Sequence, residues 1–540
     1  MKKGTTAMAP EGSSWTSGTD QPRKRSRGLS LQWAEVPEEM LLIREGLPFF
    51  VRFNYAIYGL LVLVAGAFAV VAGLETSSED VVFNTVTLVS LVLCFAVGLF
   101  ATWSQNRGFL MLAVVFCLWV ASSMTPVFYT AAVDISHTVH FCNVGVTDGC
   151  GEAESAAVFR AILAGIIGIT TIVGAVMSWL LSEKIQELVK TGNQHQLHLR
   201  DVRVFGRTLD LPDQTVESLT HIYMADLVLM VVLMAALSVL AVEAAAQELR
   251  IFNTYLAVAI ALVLVVGGYG ALARDRGWLM LAFLLHIWFL ASNNAYMASS
   301  AIDSVNEAAS CDQAGESCES DKSGTASTVV AAIGFLLNLS GAWLAMRVSE
   351  KIEEAKTERT PEEQRQHRER SLFVRLQTRL PFLAKFDLPD RSIAQLRTYT
   401  LALCALELVI VVAFFVIGGV TNSGEARIYH FVLGAWLAVT VISSFVSMIV
   451  LNRGLIIFAV VSQTWTLTAA TGYLEPAITE HNERSNACAI NEDDDCDKDA
   501  RVFASQIAMS VIVFCCALAT AWLSYRLSER LADDDRAARK

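Results

Sequence analysis

Apolar residues in this chain gather into blocks about twenty long that hold almost no ionisable side chain, a length that suits a helix crossing roughly 30 Å of hydrocarbon. Twelve such blocks run approximately over 54–74, 81–103, 109–130, 158–181, 222–242, 252–273, 278–299, 328–348, 399–420, 428–450, 455–474 and 502–524. In lipid every backbone N–H and C=O must be satisfied within its own segment, so each block predicts a helix. The pattern predicts an all-α polytopic membrane protein with twelve transmembrane helices.

The blocks repeat. "NRGFLMLAVVFCLWV" from Asn106 returns as "DRGWLMLAFLLHIWFL" from Asp275 and "NRGLIIFAVVSQTWTL" from Asn452. In each copy a Trp follows the Gly by 11 residues: Trp119 after Gly108, Trp288 after Gly277 and Trp465 after Gly454. A Cys stands 34 residues after each Gly (Cys142, Cys311, Cys488), with a second shortly beyond (Cys150, Cys318, Cys496). An aromatic and a polar residue lie 25 residues upstream, as Phe83-Asn84, Phe252-Asn253 and Tyr429-His430. "SEK" or "SER" lies 73 to 75 residues downstream, centred on Glu183, Glu350 and Glu529. Landmarks in one order at nearly constant spacing are the signature of tandem duplication. The architecture is three tandem four-helix bundles, and an even number of helices per unit gives every unit the same orientation. Transporters built from inverted repeats are disfavoured by that symmetry.

The boundaries that follow are a largely disordered arm over 1–50, unit 1 over 51–190, a linker over 191–221, unit 2 over 222–352, a linker over 353–397, unit 3 over 398–531 and a tail over 532–540. Within the second linker Leu372, Phe373, Leu376 and Leu380 place apolar groups on one face beside Arg375 and Arg379, which predicts an amphipathic helix on the inner leaflet. Of the 41 basic residues only Arg160, Arg250, Lys322, Arg427, Arg484, Lys498 and Arg501 fall on the side opposite the termini. The positive-inside rule then predicts cytosolic termini and extracellular or luminal cysteine loops. No cleavable leader of the usual layout precedes the first block.

The 11 cysteines divide by position. Cys142/Cys150, Cys311/Cys318 and Cys488/Cys496 recur as a pair in the third loop of each unit, which predicts three local disulfides on the oxidising side. The others, Cys94, Cys117, Cys404, Cys515 and Cys516, fall inside helices as packing residues. Two sulfurs per unit without repeated further ligands do not make a zinc site. The acidic run "NEDDDCDKD" is read as a solvated face, and the sequence calls for no metal or cofactor.

Asp226 and Glu407 interrupt the first helices of units 2 and 3, where an ionisable group is expensive and needs a partner, a cavity or a bundle interior. They do not align, since Asp226 lies 26 residues before Phe252 and Glu407 lies 22 before Tyr429. Asp226 is also placed within reach of the inner headgroups. His286 and Gln463 stand two positions before the repeated Trp, where unit 1 has Cys117, and are read as interhelical hydrogen-bonding groups. Trp119, Trp288 and Trp465 fall near mid-helix and are assigned to packing. Asn338-Leu339-Ser340 matches a glycosylation acceptor but lies within a predicted helix.

The layout of one unit, with both ends inside, a tiny first outer loop, a tight inner turn and a larger second outer loop carrying Cys, resembles the tetraspanin-like four-helix proteins. The resemblance covers residues 50 to 535 as three units, without the Cys-Cys-Gly motif and with much shorter second outer loops. Together these features imply a non-catalytic membrane scaffold organising lipids and other membrane proteins or copies of itself, with no nucleic-acid partner. The alternative is a channel or a small-solute or cation carrier formed between three pseudo-equivalent units, whose nearest aligned polar residues are Asn84, Asn253 and His430.

Overall fold

The computed structural model describes residues 46–72, 78–143, 150–190, 203–204, 207–208, 215–243, 247–290, 321–358, 392–420, 424–472 and 494–539. Unit 1 consists of α1 (Leu47–Ala72), α2 (Ser78–Ser104), α3 (Arg107–Asn143) and α4 (Cys150–Lys190). Unit 2 has α5 (Val216–Glu243), α6 (Gln247–Ala273), α7 (Arg276–Leu290) and α8 (Asp321–Glu358). Unit 3 has α9 (Ile393–Val420), α10 (Gly424–Val450), α11 (Arg453–Gly472) and α12 (Asp494–Arg539). Between units 1 and 2 the short strands β1 (Arg203–Val204) and β2 (Arg207–Thr208) pair antiparallel, with Arg203 opposite Thr208. The N-terminal arm, the amphipathic segment around Leu372 and the cysteines Cys311, Cys318 and Cys488 lie outside the described residues, whereas Cys496 falls in the first turn of α12. Cys142 stands at the end of α3 and Cys150 opens α4.

Within each unit consecutive helices pack together and the fourth returns to the first: α1 on α4, α5 on α8 and α9 on α12. The turn between the second and third helices explains the repeated Arg-Gly motif. Gln105, Arg274 and Leu451 each adopt a left-handed backbone, with φ of 50°, 51° and 52°. The left-handed conformation, unfavourable for a residue with a side chain, makes the sharp reversal. The next residue caps the third helix. Asn106 Oδ1 accepts from Gly108 N at 2.9 Å, Asp275 Oδ1 from Gly277 N at 2.8 Å and Asn452 Oδ1 from Gly454 N at 2.9 Å. Each cap satisfies a helix donor that would otherwise be orphaned.

The third helix of every unit is the inner one. The apolar span of α3 is 83 % buried, against 33 % for α5 and α9, whose Val228, Val232, Val409 and Val412 point outward. Among the described residues ten helices are long and apolar enough to cross a membrane by length and composition, and the inner helix α11 is not one of them. Buried Ser462, Gln463, Thr464, Thr466 and Thr468 make α11 more polar. A helix surrounded by protein need not match the polarity of lipid, which lets α11 carry these groups. One apolar core runs through all three units, joining Leu110 and Trp119 to Leu279 and Trp288 and to Val460 and Trp465.

The helices outrun their apolar blocks. The fourth helices have 41, 38 and 46 residues, about 60 Å or more at 1.5 Å per residue. That is roughly twice the hydrocarbon thickness and more than a single crossing requires.

Candidate functional site

Two sets of equivalent residues organise the molecule, one at the end of the bundles where the Arg-Gly turns lie and one halfway along the helices. At the Arg-Gly end, each motif arginine reaches the "SEK/SER" glutamate of the next unit. Arg107 Nη2 lies 3.1 Å from Glu350 Oε1, Arg276 Nη1 lies 3.1 Å from Glu529 Oε1, and Arg453 Nη2 lies 2.8 Å from Glu183 Oε1. The pairs run from unit 1 to 2, from 2 to 3 and from 3 back to 1, so they close a ring. Arg276 also binds Glu353 of its own unit at 2.5 Å and donates to Tyr525 at 3.0 Å. Arg107 and Arg453 lean on Ser182 and Ser528 of their own units, at 3.5 and 3.4 Å.

The repeated tryptophans use the same junctions one level deeper. Trp119 meets Phe335 of unit 2 with ring centroids 4.8 Å apart, and Trp288 meets Phe514 of unit 3 at 4.7 Å. Phe335 and Phe514 stand fifteen residues before Glu350 and Glu529, and the corresponding residue of unit 1 is Gly168. Trp465 packs toward it, its Cζ2 lying 3.5 Å from where a Gly168 methyl would stand. Its other side is filled by Trp436 at 3.8 Å, where units 1 and 2 have Ser90 and Ala259. The tryptophans pack within their own bundles, Trp288 on Tyr255 and Trp465 on Trp436, and reach the neighbouring bundle as well.

Two further tryptophans were not picked out by the repeat. Trp343 Nε1 donates to Gly108 O and Trp522 Nε1 to Gly277 O, both at 3.0 Å and both across a junction. The motif glycine also clears space: a methyl at Gly277 would collide with the Arg526 guanidinium, which pairs with Asp275. Val176 occupies the equivalent position in unit 1, so the junction of units 3 and 1 lacks this donor.

Halfway along the helices each bundle encloses a polar cluster. Cys117, His286 and Gln463 lie ten residues beyond the ring arginines, about 15 Å along the helix and close to the midplane of a ~30 Å core. In unit 1, Tyr58 Oη is 2.7 Å from Ser178 Oγ and 3.5 Å from Cys117 Sγ, Ser178 donates to Asn54 at 3.1 Å, and Cys94 Sγ is 3.6 Å from Cys117 Sγ. In unit 2, His286 Nδ1 is 2.9 Å from Asn338 Oδ1 and Nε2 is 3.3 Å from Tyr223 Oη, while Ser340 Oγ lies 2.6 Å from Asp226 Oδ1. In unit 3, Glu407 accepts from Gln463 Nε2 at 2.9 Å and from Thr520 Oγ1 at 2.8 Å. Asn338, a glycosylation match in sequence, is wholly buried and committed to His286.

Asp226 and Glu407, out of register in sequence, converge in space. Both carboxylates meet the fourth helix nine residues before its ring glutamate, at Gly341 and Thr520. Their four-residue offset is about one turn, so they share a helix face. Asp226 and His286 thus face the same point of α8, at Gly341. His430 and Asn253 are buried near the opposite ends of α10 and α6 from the ring, away from this layer.

This geometry defines an integral, multi-pass membrane protein of three tandem four-helix bundles. Compared with known protein families, curated proteins and solved structures, the chain matches none.

Proposed function

We propose that the chain is a non-catalytic membrane scaffold: a rigid ring of three bundles that offers its outer helices to lipids and to other membrane proteins. The observation that carries this reading is the ring itself, in which three Arg–Glu pairs and three tryptophans link each unit to the next in one sense. The large apolar residues left exposed, among them Leu63, Leu229, Val409 and Ile442, lie on the outer helices and supply surface for lipid tails or partner helices. We further place the ring on the cytosolic side, on the strength of the Lys and Arg bias toward that face, and the cysteine pairs on the outer side as disulfides.

The second reading, a carrier or channel, draws on the carboxyls held at mid-depth in units 2 and 3. Their partners come from within one bundle and not across a junction, which favours the scaffold. The test is flux from liposomes containing the purified chain, loaded with potassium, sodium or protons, combined with photocrosslinking from Leu229 and Val409. A scaffold leaves the liposomes tight and yields lipid and protein adducts at both positions. Selective flux above empty liposomes would refute it.

A further inference from the structure

The cluster in unit 2 differs from the other two in holding an acid beside a base, and its hydrogens can be counted. Asn338 Nδ2 donates to Gly334 O at 2.8 Å, which turns its Oδ1 toward His286 Nδ1 at 2.9 Å. An amide oxygen only accepts, so Nδ1 carries a hydrogen and a neutral His286 presents the lone pair of Nε2. Tyr223 Oη, 3.3 Å away, donates to it. Ser340 Oγ lies within reach of two acceptors, Asp226 Oδ1 at 2.6 Å and Leu337 O at 2.9 Å. One hydroxyl has one hydrogen. If Ser340 donates to Leu337, the short contact to Asp226 needs a hydrogen from the carboxyl.

Asp226 Oδ2 has no hydrogen-bond partner although the residue is only 7 % exposed. It lies, like His286 Nε2, 2.8 Å from the position of a methyl on Gly341. The glycine therefore keeps the space between acid and base free of a side chain. Among the described residues, the groups recorded against the pair are Tyr223 and Met230 on α5, with Gly267 of α6 against the Tyr223 hydroxyl, and Asn338, Ser340 and Gly341 on α8, none of them basic. A lone carboxylate here would be an uncompensated charge in a medium that penalises it heavily. One proton makes the site neutral in either of two arrangements, a carboxylic acid beside a neutral imidazole or a carboxylate beside an imidazolium.

We propose that unit 2 holds one exchangeable proton in the middle of the membrane, shared between the Asp226 carboxyl and the His286 imidazole. Moving it from Asp226 to Nε2 turns the Tyr223 hydroxyl away from the ring and lets Ser340 donate to the carboxylate. Glu407 in unit 3, held by an amide and a hydroxyl with no histidine beside it, is the internal comparison.

The test uses the full chain in lipid nanodiscs and dicyclohexylcarbodiimide, a membrane-soluble reagent that adds to protonated carboxyls. Mass spectrometry should find the adduct on Asp226 at neutral pH, lose it in Asp226→Asn, and find more of it in His286→Gln, where the proton is confined to the acid. Infrared spectra of the unmodified protein should show a protonated-carboxyl band that Asp226→Asn removes, a readout independent of labelling. Absence of both adduct and band in the folded wild type overturns the proposal. A smaller adduct yield in His286→Gln overturns the sharing, and protection by sodium at fixed pH makes the ligand a metal cation in place of a proton.

Discussion

A methyl group placed at the same point of each bundle should have three different effects. Gly174, Gly341 and Thr520 are equivalent residues of the fourth helices, and all three face the midplane polar clusters. At Gly174 the methyl would stand 3.3 Å from Cys117 Sγ and 3.4 Å from Ile57 Cγ2, a contact relieved by a shift of a few tenths of an ångström. Gly174→Ala also recovers about 0.5–1 kcal/mol of helix propensity, so stability should be close to wild type. At Gly341 the methyl would lie 2.4 Å from His286 Cε1 and 2.8 Å from both His286 Nε2 and Asp226 Oδ2. The imidazole is fixed at both nitrogens, by Asn338 and Tyr223, and has no free direction in which to yield. Overpacking costs about 1–3 kcal/mol, and separating His286 from a partner leaves a buried polar group unsatisfied for about 1–3 kcal/mol more. Set against the propensity gain, Gly341→Ala should lose about 2–4 kcal/mol. Thr520→Ala removes the donor to Glu407 Oε1 and should cost about 1–3 kcal/mol. The assay is unfolding by added SDS in mixed micelles, followed by far-UV circular dichroism. Equal midpoints for Gly174→Ala and Gly341→Ala would refute the reasoning, because they differ only in what the methyl meets.

The ring pairs should also be unequal. Arg276 is 15 % exposed and serves two glutamates, whereas Arg453 and Glu183 are 31 % and 23 % exposed. Arg276→Ala should therefore cost several-fold more in SDS unfolding than Arg453→Ala, whose pair is worth about 0–1 kcal/mol. Gly98→Ala would place a methyl 2.1–2.5 Å from three ring atoms of the fully buried Tyr58; it should destabilise by about 1–3 kcal/mol, and Tyr58→Leu should restore stability in the double variant. In mass analysis of non-reduced digests, peptides spanning Cys142/Cys150, Cys311/Cys318 and Cys488/Cys496 should each appear two hydrogens lighter than after reduction.

Much of this fold was legible along the chain because a membrane imposes a strong local condition. A helix facing lipid must be apolar over its whole length, so α1, α5 and α9 announce themselves, and the Arg-Gly, Trp and "SEK/SER" spacings reveal three copies. Asp226, Glu407, His286 and Gln463 were also visible, since a polar group in such a block is conspicuous. The cap on each third helix had a signal too, Asn or Asp immediately before Arg-Gly, which identifies a helix start once the turn before it is recognised.

The pairing of these residues could not be read in one dimension. Arg107 and Glu350 are 243 residues apart, Arg453 and Glu183 are 270 apart, and nothing local distinguishes a partner in the next unit from one in the same unit. The convergence of Asp226 and Glu407 was hidden because sequence offset counts residues, whereas packing against the fourth helix decides where a carboxylate arrives. The chain by itself determined three oriented four-helix units, through the hydrophobic requirement of lipid acting on each segment separately. Only the tertiary structure decided that the third helices turn inward, that arginine and tryptophan join each unit to the next, and that an acid and a base face one gap inside the second bundle, because those arrangements depend on packing between surfaces that no single segment contains.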